Sequence, residues 1–191
     1  GTTGQYAATS EFFVAEADEY AVDPTSDHRP RFIYQHPAVV VCPNLSYDHP
    51  DIYPDFETMK KTFASFFAQS ESLYVNGDVP ELLQLFHEIQ KNDTHTSFSV
   101  GFGQQSDYKL AIVENSEGLV RFSIEYMGAA QYPLVHSKTA WEGTLKVPGK
   151  HNVLNASLAF ITAVHTCGVA AEVAIEALSK FTGTMRRFEY K

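Results

Sequence analysis

Ala38-Val39-Val40-Val41-Cys42-Pro43-Asn44-Leu45-Ser46-Tyr47-Asp48-His49-Pro50-Asp51 changes character in one step at Pro43. The first five residues are apolar without interruption, and three are valines. That pattern predicts a strand covered on both faces, as in a parallel sheet, rather than a half-exposed antiparallel one. In open α/β sheets, ligands gather beyond the carboxyl ends of the strands. Asn44, Asp48, His49 and Asp51 follow such an end. A lone histidine is usually structural, but His49 beside two aspartates in this place is a metal-ligand candidate.

Working outward, residues 11–15 (Glu-Phe-Phe-Val-Ala) form a short apolar run that closes in Glu16-Ala17-Asp18-Glu19. The run predicts another strand, and its tip carries three carboxylates within four residues. Such a tip suits a metal, or it is an acidic loop solvated by water. Between the two strands, Arg29 and Arg31 make a compact cationic spot that could hold a phosphate or pair with acids nearby. Downstream, Phe56, Met59, Phe63 and Phe67 share a helical face. Residues 72–75 read as a strand, Asn76-Gly77-Asp78 as a turn, and Pro80 as the start of a helix to residue 91. Strand, helix, strand, helix is an α/β order.

The pattern changes near residue 96. Residues 98–102, 110–114, 119–124 and 141–147 read as strands, two of them joined by the hairpin turn Asn115-Ser116-Glu117-Gly118. This predicts a small antiparallel sheet inserted into the α/β domain, too small to bury a core alone.

Pro148-Gly149-Lys150-His151-Asn152-Val153-Leu154-Asn155-Ala156 then opens a helix, with Leu154, Leu158 and Ile161 on one face. His151, Asn152 and Asn155 crowd its N-terminus, where N–H groups and the dipole favour a polar or anionic ligand. An asparagine here equally serves as a simple cap. Gly168 closes the helix, residues 170–180 make another, and Arg186-Arg187-Phe188-Glu189 reads as a hinge.

A chain of 191 residues is long enough for one domain with a substantial core. Its net charge of −9 speaks against nucleic acid or an anionic membrane as partner, since both require a basic face. A nucleotide needs only a few local cations and a metal. No run is long enough to cross a membrane, and none reads as a signal peptide. Cys42 and Cys167 read as buried thiols, which fits a cytoplasmic protein. The start at Gly1-Thr2-Thr3-Gly4, without an initiator Met, gives the expectation of a fragment.

Three blocks together resemble the central domain of the Mur ligase family: Val14-Ala15-Glu16-Ala17-Asp18-Glu19; Asn44 with Asp48-His49-Pro50-Asp51-Ile52-Tyr53; and residues 148–156 with Phe181, Gly183 and Arg186-Arg187-Phe188-Glu189. Their order and spacing span nearly the whole chain. The resemblance implies a Mur-ligase-type α/β ATPase domain, a mostly parallel sheet flanked by helices with the small antiparallel sheet inserted. Residues 1–184 would be the ATP-binding domain, and residues 185–191 a hinge into a further domain. It implies that Glu16 and His49 hold Mg2+, that His151, Asn152 and Asn155 contact the adenine and ribose of ATP, and that Arg187 reaches the nucleotide from the hinge. The implied reaction activates a UDP-N-acetylmuramate carboxylate as an acyl phosphate, which an amine then attacks. The Glu-Ala-Asp-Glu and Asp-His-x-Asp forms are closest to the members that add L-alanine. Glu19-Tyr20 and the Arg29/Arg31 loop lean toward the members that add a recovered tripeptide, and both forms disfavour a folate acceptor. The family's phosphate-binding loop is absent: Gly1-Thr2-Thr3-Gly4-Gln5 has no lysine of that kind. The expectation is therefore that this fragment alone does not hydrolyse ATP. A catalytically silent nucleotide- and metal-binding module is the alternative from a different class.

Overall fold

The computed structural model describes residues 8–90, 97–116, 118–128 and 140–183. A six-stranded sheet organises it. In chain order its strands are β3 (Val39–Cys42), β4 (Ser72–Asn76), β5 (Phe98–Gly101), β6 (Tyr108–Ser116), β7 (Leu119–Tyr126) and β8 (Ala140–Leu145), and this is also their spatial order. Strands β3 to β6 pair in parallel, and β6, β7 and β8 pair antiparallel. The antiparallel portion expected from the sequence thus shares β6 with the parallel one and continues the same sheet. A separate antiparallel pair, β1 (Ala21–Asp23) and β2 (Asp27–Pro30), precedes it and runs into a 3-10 turn over Arg31–Tyr34.

Alternation along the strands sends side chains to two helical layers. Leu73 and Val75 of β4 join Val40 and Cys42 of β3 in a core under α1 (Phe56–Phe67) and α2 (Pro80–Gln90), with Met59, Phe66, Phe67, Leu82 and Phe86. Tyr74 points the other way. It meets Phe98, Tyr108, Phe122 and Trp141 beneath α3 (Lys150–His165) and α4 (Ala171–Lys180), which contribute Val153, Leu158, Phe160, Ile161 and Ala174. Helix α1 starts where Asp55 accepts a hydrogen bond from the Thr58 N–H at 2.7 Å, satisfying one of the helix's unpaired donors.

Two sequence expectations change here. Residues 11–15 form no strand: every residue from 11 to 17 is exposed, Phe13 by 89% and Val14 by 93%. A short apolar run becomes a strand only by pairing, and this one lies across a cleft from β3 without joining it. Strand β3 is therefore the edge of the sheet, and it is not covered on both faces. Val41, in register with Tyr74, is 42% exposed because its side of the sheet faces that cleft.

Candidate functional site

The carboxyl ends of the parallel strands bring the distant loops of the chain together. Beyond β3, His49 adopts a left-handed backbone conformation with φ of 55°. The turn is held because its N–H donates to Asp48 Oδ1 at 2.7 Å and its carbonyl accepts from Ile52 N and Tyr53 N, each at 2.9 Å. A non-glycine residue in this region is uncommon and points to a position fixed by its surroundings. The imidazole Nε2 lies 3.4 Å from Glu19 Oε1, and its ring centroid is 5.0 Å from that of Tyr20.

Residues 18–20 are stitched to this loop and to the 3-10 turn. The Tyr20 hydroxyl donates to Asp51 Oδ2 at 2.9 Å, which raises the phenol pKa, and the Tyr53 hydroxyl donates to the Glu19 carbonyl at 2.9 Å. Asp18 pairs with Arg31 at 2.5 Å and accepts the Phe32 N–H on its carbonyl. Arg29 is held by Asp27 through Nε and Nη2, both at 2.8 Å. The two arginines of the cationic spot are thus engaged with aspartates, the paired-charge reading of that loop.

Glu16 is exposed on the wall of a cleft of about 1170 Å3, together with Glu19, Asn44, Ser46 and Asp48. His49 does not line this cleft, whereas Glu19 both lines it and lies 3.4 Å from the imidazole. Among the described residues, no group of three or more His, Cys, Asp or Glu side chains is arranged to hold a metal ion. Helix α3 gives the cleft Thr162, Thr166 and Cys167 from its carboxyl end, and Asn152 and Asn155 do not line it. Cys42, on the floor, has its thiol pushed up to about 12 by burial, so it stays neutral.

The mouth of α3 lies at the same edge of the sheet, outside the cleft. Gly149, at φ 108°, is the N-cap, and no side chain caps the helix. Its carbonyl accepts from Asn152 N at 3.0 Å and Val153 N at 3.3 Å. Asn152 donates its Nδ2 to the Pro148 carbonyl at 2.6 Å, a bond opposite in sense to that of a cap. Asn152 is half-buried, whereas Asn155 and His151 are exposed on the first two turns. Arg187, the hinge residues 185–191 and Gly1-Thr2-Thr3-Gly4-Gln5 lie outside the described residues.

Two features escaped the sequence reading. In sequence Glu19 belongs with Glu16 to one acidic tip, yet it is the carboxylate that reaches His49. In sequence Asp78 is part of a turn, yet its Oδ2 and Oδ1 accept the N–H groups of Phe102 and Gly103 at 2.9 and 2.7 Å. The only local signal for it was a carboxylate immediately beyond a buried strand.

A three-layer α/β domain with its polar loops gathered at the carboxyl ends of parallel strands is the architecture of a ligand-handling domain. The Mur ligase middle domain matches residues 3–163. UDP-N-acetylmuramate–L-alanine ligase of Cytophaga hutchinsonii is 32% identical over 190 residues, covering 98% of this chain and 35% of that protein. The protein of the same name from Thermobifida fusca is 31% identical over 189 residues, covering 98% of this chain and 38% of the relative. Among solved structures, UDP-N-acetylmuramate-alanine ligase from Thermotoga maritima superimposes with a TM-score of 0.59 at 25% identity, over 80% of this chain and 31% of that one. A UDP-N-acetylmuramoyl-L-alanyl-D-glutamate–2,6-diaminopimelate ligase shares the fold, with a TM-score of 0.63 at 19% identity over 79% of this chain and 29% of its own. The chain belongs to the Mur ligase family and spans its middle domain. It covers about a third of the length of the curated relatives it matches. No helix among the described residues is long and apolar enough to cross a membrane.

Proposed function

We propose that this chain is the middle domain of an ATP-dependent amide ligase of peptidoglycan precursor synthesis, one that joins L-alanine to UDP-N-acetylmuramate. The observation that carries the reading is identity near 30% to ligases of that name over almost the whole chain. The three sequence blocks support it, and the one from Asn44 to Tyr53 lies just beyond β3. In this reading the γ-phosphoryl group of ATP passes to the muramyl carboxylate, giving ADP and an acyl phosphate. The amine nitrogen then attacks the acyl carbon, the bond to phosphate breaks, and a proton leaves the nitrogen. The reaction consumes ATP, and the reading places the enzyme in the cytoplasm.

The residues have separate tasks. His151, Asn152 and Asn155 would meet the adenine and ribose at the mouth of α3, with Arg187 approaching from the hinge. Glu16 and His49 would hold magnesium, with Glu19 orienting the imidazole. The Glu16 carboxylate suits this hard cation, with water and phosphate oxygens taking most of the shell, and His49 would add a nitrogen donor. When bound, magnesium supplies charge neutralisation on the transferred phosphoryl group. The protein's own share is positioning and fixed dipoles.

The test uses the full-length protein with UDP-N-acetylmuramate, ATP and a panel of amines. L-Alanine-dependent release of phosphate, with the UDP-linked amide as product, is expected. Activity with a tripeptide and not with L-alanine would assign the enzyme to precursor recovery instead. ATP binding without ligation of any amine would leave a silent binding module.

A further inference from the structure

A string of polar contacts crosses the carboxyl edge of the sheet and ends at α3. Asn76, the last residue of β4, donates its Nδ2 to the Pro43 carbonyl just beyond β3 at 3.0 Å, and its Oδ1 accepts the Asp78 N–H at 2.9 Å. Asp78 in turn forks across the next loop. Its Oδ2 takes the Phe102 N–H at 2.9 Å and its Oδ1 takes the Gly103 N–H at 2.7 Å. With its backbone fixed, Phe102 sets its ring beneath Lys150, the first residue of α3, whose Nζ is 4.3 Å from the ring centroid. The loops pack closely against one another. The buried Ser106 Oγ is wedged between them, 2.3 Å from where a Cβ on Gly77 would stand and 2.6 Å from one on Gly101.

We propose that Asp78 is a positioning residue for nucleotide binding: it fixes Phe102 under Lys150, and so holds that ammonium group at the helix mouth beside His151, Asn152 and Asn155. The inference rests on the reading of that mouth as the ATP site. Charge-assisted hydrogen bonds from backbone N–H groups to a carboxylate are stronger than neutral ones, so the Asp78 carboxylate is a firm anchor. A cation over an aromatic face at an exposed site contributes a modest attraction, and its loss corresponds to a change in affinity of roughly two- to fivefold. Asp78 and Phe102 need touch no ligand for this. Their effect passes through Lys150.

The experiment measures ATP binding to the full-length protein by titration with a fluorescent ATP analogue, together with the KM for ATP and for the acceptor amine. Phe102→Leu should weaken ATP binding roughly two- to fivefold and leave the KM for the amine within about twofold, and Phe102→Tyr should restore it, because the π-face returns. Asp78→Asn should weaken ATP binding in the same direction, since the amide nitrogen that replaces one carboxylate oxygen cannot accept the N–H that oxygen holds. Asn155→Ala is the parallel control for the nucleotide reading. If Asn155→Ala weakens ATP binding while Phe102→Leu does not, the positioning role is overturned and the ATP site stands. If neither changes it, both fall. Equal loss for ATP and amine in Phe102→Leu, or no rescue by tyrosine, would reduce the contact to general packing and overturn the proposal. Phe102→Leu decides the matter even if the Asp78 variant does not fold.

Discussion

Replacing Gly149 with alanine puts the backbone geometry of the α3 mouth under direct test. Gly149 sits at φ 108° and ψ 137°. This lies outside the small left-handed helical region and in territory that side chains rarely enter, at a strain of roughly 1–3 kcal/mol. An added Cβ would also stand 2.7 Å from Cε1 and 3.0 Å from Nδ1 of His151. The imidazole can swing away, so the steric part is smaller than the torsional one. Together they give a destabilisation of about 2–3 kcal/mol, or a fall in Tm of roughly 4–12 °C for a domain of this size. Gly168, which closes α3, provides the comparison. It has φ of 65°, and a Cβ there would meet nothing within 4 Å. Gly168→Ala should therefore cost only about 1 kcal/mol. Urea unfolding of the two variants beside the parent protein measures the difference. A Gly149→Ala variant no less stable than Gly168→Ala would refute the claim that the α3 entrance is conformationally reserved for glycine. Because the Gly149 carbonyl accepts the N–H groups of Asn152 and Val153, Gly149→Ala should also weaken ATP binding, an effect Gly168→Ala should lack.

Tyr74→Phe removes a hydroxyl that shares a 2.7 Å hydrogen bond with Thr166 Oγ1, and should destabilise the fold by about 1 kcal/mol in chemical denaturation; an unchanged midpoint would show that the bond contributes nothing. Acid should unfold the protein partly through the β1–β2 turn. The Thr25 hydroxyl and N–H and the Ser26 hydroxyl hold Asp23 down to about 2, and Arg29 holds Asp27 well below the usual carboxylate range. Both carboxyls bind fewer protons folded than unfolded. Their contribution is therefore present above about pH 4 and is lost as pH falls through about 2. Tm followed from pH 5 to pH 2 should decline, and Asp23→Asn should flatten part of that decline; a parallel curve would exclude Asp23 as a source. His49→Ala in the full-length protein should lower magnesium-dependent turnover by orders of magnitude, whereas near-normal turnover would remove His49 from the cation site.

What could be read from the sequence divides along a physical line. Periodicity is local, so the helices over Phe56–Phe67, Pro80–Gln90 and Lys150–His165 were legible from the spacing of their apolar residues. The strands Val39–Cys42 and Ser72–Asn76 were legible as short apolar runs. Residues 11–15 have the same apolar character as β3, yet they form no strand, because a strand exists through its partner and partners are not written in a window of five residues. Val41 fails in the same way: its exposure depends on how far α3 reaches over the sheet edge. The α3 mouth shows a subtler limit. Composition placed asparagines at the start of a helix, and the frequency of caps made that one explanation. The fold instead gives the cap to Gly149 and turns Asn152 into a donor to Pro148. Glu19 and Asp78 complete the argument. One carboxylate meets a histidine 30 residues away, and the other grips the N–H of a residue 24 positions on. Asp78 lies just past β4, where parallel pairing decides which loops are neighbours, whereas Glu19 is brought to His49 by the bonds of Tyr20 to Asp51 and of Tyr53 to the Glu19 carbonyl. Edge contacts of this kind need the strand order before they can be derived, and the order β3-β4-β5-β6 is what sets Asn76, Asp78 and Phe102 side by side.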